Sequence, residues 1–201
     1  MKILIVPTIR EIYKKQLEQS IDLRLIEFLQ NIFQKTSIEI FNTSNLKKYD
    51  FIVFAGGNSS LIKKNADKVR NKINNKVYNF AIKNKIKMLG ICHGCHFLAK
   101  KNGFIIKKKE NHVGYHKVNF NINNKRFTKV VNSYHNETIK NKKKKLINIF
   151  CIADDNTVEA FHLKNKKILG IMWHPERYNK FKYFDKKLIK EFNATNSIIG
   201  W

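Results

Sequence analysis

Met88-Leu89-Gly90-Ile91-Cys92-His93-Gly94 is an apolar run that ends in a cysteine between two glycines. The apolar residues predict a buried strand, and the glycines predict a sharp turn at its end. The residues from Cys95 to Lys100 then follow the pattern of a helix. A strand, a sharp turn and a helix, with the reactive residue at the turn, form a nucleophile elbow, here with cysteine as the nucleophile.

The chemistry of an elbow explains why glycines flank Cys92. The nucleophile sits in a strained backbone conformation, and side chains two residues before and after it would collide, so Gly90 and Gly94 fit those places. The positive N-terminal end of the following helix favours the Cys92 thiolate over the thiol. The backbone N–H of His93 is then placed to face a developing oxyanion.

Other interpretations of Cys92 stay open at this point. It can be a buried cysteine in an ordinary strand-to-helix turn. Cys92-His93-Gly94-Cys95-His96 also matches the pattern of covalent haem attachment, and Cys92 with Cys95 matches a redox pair. Haem attachment needs export, whereas Ile3–Val6 predict a strand and not a signal peptide. A zinc site built on this pair needs a second cysteine pair, which the sequence lacks.

Apolar runs of strand length recur along the chain, with helical patterns between them. The strands are expected at Ile3–Val6, Ile38–Phe41, Phe51–Ala55, Met88–Cys92, Ile147–Ile152 and Ile168–Trp173. The helical patterns run from Leu23 to Phe33 and, after a start at Asn58–Ser60, from Val69 to Ile82. This alternation predicts an α/β three-layer sandwich with a mostly parallel central sheet. Val113–Val131, which contains Asn123-Asn124, predicts an antiparallel hairpin.

The chain of 201 residues carries a net charge of +25, from 40 basic and 15 acidic residues. Only 5 of the basic residues are Arg, and the lysine runs at Lys107–Lys109 and Lys142–Lys145 match no nucleic-acid-binding motif. No apolar stretch reaches the length of a membrane span. We therefore expect a soluble, cytoplasmic protein with reduced cysteines and no nucleic-acid or membrane partner. The charge remains compatible with a polyanionic small substrate.

A thiolate nucleophile needs a histidine that carries protons, and that histidine needs an acceptor that orients it. The strand predicted at Ile168–Trp173 runs into His174-Pro175-Glu176. Because residues two apart in an extended chain point to the same side, His174 and Glu176 are expected to face one site. His174 alone fits a structural histidine better than a catalytic one, and its pairing with Glu176 at a strand end reverses this preference.

The strand at Phe51–Ala55 ends in Gly56-Gly57-Asn58. Such a turn lets backbone N–H groups face an anion, which is what an oxyanion hole requires. An ordinary turn after a strand has the same composition, so this segment by itself leaves both interpretations open.

These segments, in this order, resemble the class I glutamine amidotransferase superfamily, and within it the γ-glutamyl hydrolase branch. The resemblance covers most of the chain and implies a flavodoxin-like fold in a single domain, residues 1–201. The matching motifs are Gly56-Gly57, the elbow at Cys92, Val131–Asn136, Val158-Glu159-Ala160 and Trp173-His174-Pro175-Glu176.

The resemblance also implies residue roles. Cys92 is the nucleophile, His174 the general base and then acid, and Glu176 the residue that orients His174. The N–H groups of Gly57 and His93 form the oxyanion hole, and Gly56 belongs to the substrate site. Ser133, Tyr134 and His135 match the segment that holds the glutamyl α-amino and α-carboxyl groups, largely through its backbone. The reaction needs no cofactor, and the sequence shows no metal site.

One departure from the family concerns the substrate. Glutamine-hydrolysing members usually carry Gln four residues after the nucleophile, where this chain has His96. His96 is then either a substrate-binding residue or an ordinary residue on a helix face. The departure and the opening Val6–Arg10 favour a stand-alone γ-glutamyl hydrolase that releases glutamate. Arg10 and Tyr115 are expected at the rim of its substrate site.

Two other classes of function compete. A glutaminase subunit that passes ammonia to a synthase partner is the alternative enzyme. A non-catalytic relative that acts as a binding module is the third class, and the intact Cys92, His174 and Glu176 argue against it.

Overall fold

A computed structural model describes residues 1–14, 16–42, 46–57, 61, 68–109, 112–140 and 148–198. Three features of the sequence prediction lie outside the described residues. They are the helix start at 58–60, the lysine run at 142–145 and the first residue of the strand expected at 147–152.

The described residues form thirteen β-strands, four α-helices and two short 3-10 helices. The strands are β1 Lys2–Val6, β2 Thr8–Tyr13, β3 Gln16–Ser20, β4 Ser37–Ile40, β5 Phe51–Phe54, β6 Lys87–Ile91, β7 Ile105–Lys108, β8 Val113–Ile122, β9 Lys125–Tyr134, β10 Glu137–Lys140, β11 Asn148–Ala153, β12 Val158–Leu163 and β13 Ile168–Ile171. The helices are α1 Leu23–Ile32, α2 Lys68–Lys83, α3 His93–Lys101 and α4 Tyr183–Thr195, and the 3-10 helices are Lys164–Lys166 and Pro175–Arg177. Within the described ranges, no helix combines the length and the apolar character that crossing a bilayer requires.

The centre of the main sheet consists of five parallel strands in the order β4-β1-β5-β6-β13. β5 and β13 are buried at every residue, and β1 and β6 at every residue except the first. Burial on both faces explains why these strands read as continuous apolar runs in the sequence. The predicted α/β architecture with a mostly parallel central sheet is confirmed.

Beyond β13 the sheet continues through β12, β11, β8 and β9, and all of these pairings are antiparallel. β7 and β10 form a further antiparallel pair that joins the sheet at β12. The predicted hairpin is β8–β9, whose turn residues Asn123 and Asn124 have φ values of 51° and 64°. Positive φ at both turn residues matches the twist of the flanking strands, and asparagine tolerates it well.

Helices cover both faces of the parallel centre. α1 and α4 pack on the face that contains Ile3 and Ile5, and α2 and α3 pack on the face that contains Leu4 and Val6. Successive residues of β1 thus enter different cores, as the two-residue period of a strand requires. This arrangement gives the predicted three layers.

The sequence prediction missed β2–β3, β7, β10, β12 and α4. β2 and β3 are largely exposed and carry no apolar run. β12 is fully buried, but Glu159 and His162 interrupt its apolar pattern. For α4 a signal was present, because Leu188, Ile189 and Phe192 recur at helical spacing and are buried.

Asp185 in α4 is a buried carboxyl that gives the fold a pH dependence. Nε1 of Trp173 donates to its Oδ1 at 2.9 Å, whereas Oδ2 has no hydrogen-bond partner among the described residues. Burial raises the pKa of Asp185 to about 6. The folded protein therefore holds this proton more tightly than the unfolded chain. The contribution of Asp185 to stability is greatest at low pH and is lost as the pH rises through about 6.

We expect the free energy of unfolding of the wild type, relative to that of Asp185→Asn, to fall by about 1–3 kcal/mol between about pH 4 and about pH 8. The asparagine keeps an oxygen for Trp173 and does not ionise, so its own effect is the same at both pH values. Urea unfolding followed by circular dichroism measures the difference. Asp154→Asn, at an exposed position, is the control. A difference between wild type and Asp185→Asn that does not vary with pH would contradict this account.

Candidate active site

Cys92 occupies the turn between β6 and α3 with a φ of 48° and a ψ of −104°. Such a conformation costs a non-glycine residue about 1–3 kcal/mol, so the surrounding packing must enforce it. A Cβ on Gly90 would lie 2.6 Å from the carbonyl oxygen of Gly94, and a Cβ on Gly94 would overlap the carbonyl group of Phe54. The elbow predicted from the sequence is present, and both glycines are required by close contacts.

The parallel centre of the sheet explains how the parts of the site meet. β5, β6 and β13 are neighbouring parallel strands, so their carboxyl ends lie at one edge of the sheet. Gly56 and Gly57 follow β5, Cys92 follows β6, and His174 lies three residues after β13. Segments that are far apart in the chain are therefore adjacent in space.

His174 and Glu176 form a buried hydrogen-bonded pair. Their side chains are each 2% exposed, and Nδ1 of His174 lies 2.6 Å from Oε1 of Glu176. Because the carboxylate accepts, Nδ1 donates, and Nε2 is the nitrogen left for a second partner. Burial lowers the pKa of His174, but the negative charge of Cys92 and hydrogen bonds to Cys92 and Glu176 raise it to about 9. The protonated, imidazolium form of His174 is therefore favoured beside Cys92.

The contact between His174 and Glu176 has a different local origin from the one predicted. β13 ends at Ile171, and Pro175–Arg177 form a 3-10 helix, so the two residues are not in an extended strand. The proline at the first position of the 3-10 helix stabilises this turn, because its fixed φ suits the start of a helix. The turn, and not strand alternation, brings the carboxylate back to the imidazole.

Asn132 in β9 positions the backbone of His174, and the sequence pattern did not single it out. Its Nδ2 donates to the carbonyl oxygen of His174 at 2.8 Å, and its Oδ1 accepts from the N–H of His174 at 2.8 Å. The N–H of Asn132 in turn donates to the hydroxyl of Tyr178 at 3.1 Å. These bonds fix His174 at a point where the ladder of β13 has already ended. The sequence offered one indication of this role, because Asn132 lies within the Val131–Asn136 motif.

Two side chains hold the glycine turn after β5. Nη2 of Arg70, a 1% exposed residue, donates to the carbonyl oxygens of Ala55 at 2.9 Å and Gly56 at 3.0 Å. Oγ1 of Thr8 donates to the same Gly56 oxygen at 2.9 Å. In a trans peptide the N–H points away from the C=O, so the N–H of Gly57 faces away from Arg70 and Thr8. Neither of these two supporting residues was predicted.

The glycine turn packs directly on the imidazole. A Cβ on Gly56 would lie 2.5 Å from Cε1 of His174. His93 begins α3, so its N–H is one of the free donors at the helix start, beside Cys92. Burial lowers the pKa of the His93 side chain well below its usual range, so this imidazole is neutral. The N–H groups of Gly57 and His93 remain the candidates for the oxyanion hole.

The end of β9 carries the segment expected to bind the glutamyl group. Oγ of Ser133 donates to the carbonyl oxygen of His112, and Nδ1 of His135 lies 2.9 Å from the carbonyl oxygen of Glu137. Burial lowers the pKa of His135 to about 2, which keeps its imidazole neutral. Only Tyr134 is exposed, and its ring lies 5.4 Å from that of His174. The side chains of Ser133 and His135 are thus engaged elsewhere, which leaves their backbone as the candidate binding element.

His96 lies one turn into α3 and is 3% exposed. Burial lowers its pKa to about 4, and the neutral ring places Nε2 3.0 Å from the carbonyl oxygen of Glu137. Its ring also lies 5.9 Å from that of His135, which bonds to the same carbonyl group. These contacts favour a structural role for His96 over direct contact with a substrate.

An open cleft of about 260 Å³ adjoins the imidazole. Its lining includes Gly56, Gly57, His174, Arg10 and Arg177. Arg10 lines this cleft, and its place at the rim of a substrate site stays a prediction. Tyr115, the other residue expected there, is 69% exposed on β8 and does not line this cleft.

The fold and the elbow correspond to a known family. The family model of class-I glutamine amidotransferases matches residues 13–193, which is most of the chain. The chain belongs to the class-I glutamine amidotransferase family.

Two curated proteins are similar in sequence. The γ-glutamyl-CDP-amidate hydrolase of Campylobacter jejuni is 38% identical over 130 residues, which are 64% of this chain and 62% of that protein. The putative glutamine amidotransferase-like protein YvdE of Lactococcus lactis is 38% identical over 63 residues, 31% of this chain and 26% of that protein. The matched region therefore spans less than two thirds of the length of either relative.

Solved structures share the fold over nearly the whole chain. A putative GMP synthase component from Thermoplasma acidophilum superposes with a TM-score of 0.70 at 20% identity, covering 96% of this chain and 92% of that one. A glutamine amidotransferase from Thermotoga maritima superposes with a TM-score of 0.66 at 18% identity, covering 97% and 82%. These likenesses show the fold.

Proposed function

We propose that this chain is a hydrolase that cleaves a γ-glutamyl amide bond through a thioester on Cys92 and releases L-glutamate. The observation that carries the proposal is that Cys92, strained at the elbow, is a hydrogen-bond partner of His174. His174 in turn forms a buried pair with Glu176, whose closest atom is 2.6 Å away. A nucleophile, a proton carrier and an orienting carboxylate are the parts that acyl transfer requires.

The proposed reaction has two halves. The Cys92 thiolate forms a bond to the γ-carbonyl carbon, and the carbonyl electrons move onto oxygen. The N–H groups of Gly57 and His93 stabilise this oxyanion, and each such donor is typically worth about 3 kcal/mol of barrier. His174 protonates the departing nitrogen as the C–N bond breaks. It then takes a proton from water, which attacks the thioester and frees glutamate and the thiolate.

The proposed substrate is γ-glutamyl-CDP-amidate, cleaved to glutamate and cytidine diphosphoramidate during modification of a capsular polysaccharide. The name of the C. jejuni relative supports this choice. The cleft adds support, because Arg10 lines it, and a guanidinium group suits a pyrophosphate. Arg177 also lines the cleft, where its Nε donates to Oδ2 of Asp22 at 3.1 Å. His96, in place of the usual Gln, disfavours free glutamine.

A glutaminase subunit that delivers ammonia to a synthase partner is the second candidate. The match to class-I glutamine amidotransferases, many of which use glutamine, favours it.

The purified protein is offered glutamine, a γ-glutamyl amine and γ-glutamyl-CDP-amidate, and glutamate release is measured. We expect kcat/KM for the nucleotide to exceed that for glutamine by about 10³-fold or more, because a site built for polar groups rejects a substrate that lacks them. Fast turnover of glutamine by the protein alone would contradict this choice of substrate. Glutamine turnover that requires an added synthase would support the second candidate.

The Arg10→Gln variant tests recognition of the nucleotide separately from cleavage of the amide bond. It should raise KM for γ-glutamyl-CDP-amidate about 10- to 100-fold and leave the γ-glutamyl amine unaffected, since only the former carries phosphates. Arg126→Gln, an exposed change at the start of β9, is the matched control. If Arg10→Gln raised KM equally for both substrates, the cleft would not be the binding site of the nucleotide.

A further inference from the structure

A cluster of three histidines and a glutamate lies next to the candidate active site. His112 precedes β8, His116 lies in β8, His135 follows β9, and Glu159 lies in β12. One ligand-type atom from each of His112, His135 and Glu159 lies within 4.8 Å of the others. Nε2 of His116 lies 3.4 Å from Oε2 of Glu159. The ring of His112 is 4.5 Å from that of His116 and 4.8 Å from that of His135.

The polar atoms of this cluster lack hydrogen-bond partners among the described residues. They are both carboxylate oxygens of Glu159, Nδ1 of His112, Nε2 of His116 and Nε2 of His135. Glu159 is 1% exposed, His112 5% and His135 6%. A buried polar atom left without a partner costs about 1–3 kcal/mol, so native proteins seldom leave several together. The cluster therefore has the composition of a site that receives a ligand.

In His112 and His135, one ring nitrogen already has a partner. That contact determines which nitrogen is left to bind a ligand. Nδ1 of His135 lies 2.9 Å from the carbonyl oxygen of Glu137, which only accepts, so the proton is on Nδ1 and the lone pair on Nε2. Nε2 of His112 lies 3.4 Å from Oδ2 of Asp155 and 3.3 Å from Oγ1 of Thr157. A proton on this Nε2 leaves the lone pair on Nδ1. A carboxylate or carbonyl behind the imidazole is the usual surrounding of a metal-binding histidine.

We infer that His112, His116, His135 and Glu159 form a binding site for one divalent transition-metal ion of the zinc class. Three imidazoles and one carboxylate suit Zn²⁺ in both ligand type and number. The charge of the ion offsets that of a carboxylate that is only 1% exposed. Three of the ligands are buried, and the side chain of His116 is 21% exposed. Four protein ligands describe a closed structural site, and not a catalytic one with an open position.

The position of the site gives the ion a structural task. It joins β8, the end of β9 and β12, and its ligand His135 directly follows Tyr134, whose ring lies 5.4 Å from that of His174. The ion therefore fixes the segment beside the imidazole without taking part in bond breaking. The inference stands on its own ligands and does not depend on the proposed substrate.

The test is a titration of the full-length, metal-free protein with Co²⁺, followed by visible absorption. We expect one Co²⁺ per chain with the intense bands of four-coordinate cobalt, competed away by Zn²⁺. Glu159→Gln and His112→Asn should abolish these bands. Asp155→Asn alters a partly exposed residue that contacts the ligand His112, and it should weaken Co²⁺ binding about 10- to 100-fold. This variant still tests the site if the ligand variants fail to fold.

Two controls separate this site from other nitrogen and sulfur ligands. His162→Asn alters a buried histidine outside the cluster, bonded at 3.0 Å to the carbonyl oxygen of Asn196, and should bind Co²⁺ as the wild type does. Cys92→Ser should also bind Co²⁺ as the wild type does. It should lose no thiolate-to-cobalt band, because Cys92 is not a ligand of the proposed site. The inference is overturned if the wild type binds no stoichiometric Co²⁺. It is also overturned if Glu159→Gln binds as well as the wild type, or if Cys92→Ser removes the signal.

Discussion

Cys92→Ala is expected to lower turnover of the γ-glutamyl substrate by about 10⁶-fold, because removal of a nucleophile that works with a histidine leaves only binding and the oxyanion hole. The variant should fold, since alanine at this position meets the same φ of 48° and loses only the sulfur. Glutamate release measures turnover, and circular dichroism measures folding. Acid quench followed by intact mass spectrometry should find a γ-glutamyl adduct on the wild type and none on the variant.

Cys95→Ala is the matched control for this loss. Cys95 lies three residues further on, is fully buried, and burial raises the pKa of its thiol well above the usual range. A neutral buried thiol is a poor nucleophile, so this variant should retain turnover and lose some stability to the cavity. An adduct on Cys95, or near-normal turnover of Cys92→Ala, would refute the proposed thioester.

Glu176→Gln is expected to reduce kcat by about 10²- to 10⁴-fold with little change in KM, because the amide no longer fixes the tautomer and charge of His174. The effect should also appear in the pH dependence. In the wild type, the charge of Cys92 and the hydrogen bonds to Cys92 and Glu176 raise the pKa of His174 to about 9. His174 is therefore protonated below that pH and loses its proton as the pH rises through it. Without the Glu176 carboxylate this pKa falls, so the alkaline limb of kcat/KM should move to lower pH.

Profiles of kcat/KM against pH for the wild type and Glu176→Gln provide the measurement. Glu27→Gln, which alters an exposed glutamate in α1, should leave both the rate and the profile unchanged. A merely structural role of Glu176 would lower the amount of folded enzyme without moving the alkaline limb. An unmoved limb in Glu176→Gln would therefore exclude the orienting role.

The elbow shows how far local constraints reach. Gly90 is required because a Cβ there would meet backbone atoms of Gly94 and Cys95, and such a requirement is visible in a short segment. The same holds for Asn123-Asn124, where positive φ at two successive residues selects asparagine. These features could be predicted because their causes lie within a few residues. Gly94 differs, because a Cβ there would meet the backbone of Phe54 on β5, a contact that only the packed sheet creates.

The contact between His174 and Glu176 was predicted correctly, but for the wrong structural reason. Alternation in a strand suggested a shared face, whereas a 3-10 helix at Pro175–Arg177 creates the 2.6 Å contact. Residue type and spacing indicated the pair, but the local conformation depended on where the β13 ladder ended. Asn132, which holds the backbone of His174 at that point, comes from a strand 42 residues away.

Apolar runs, paired glycines and the order of Cys92, His174 and Glu176 were enough to predict the parallel sheet, the elbow and the family, since periodicity and backbone sterics act locally. Contacts between distant segments were not accessible in this way. Arg70 reaches the Gly56 carbonyl from α2, and the histidine cluster draws Glu159 from β12, because neighbouring strands and helices set the registers of these contacts. The sequence does not show which partner a buried polar residue will contact. Here the packing of the sheet determined those partners.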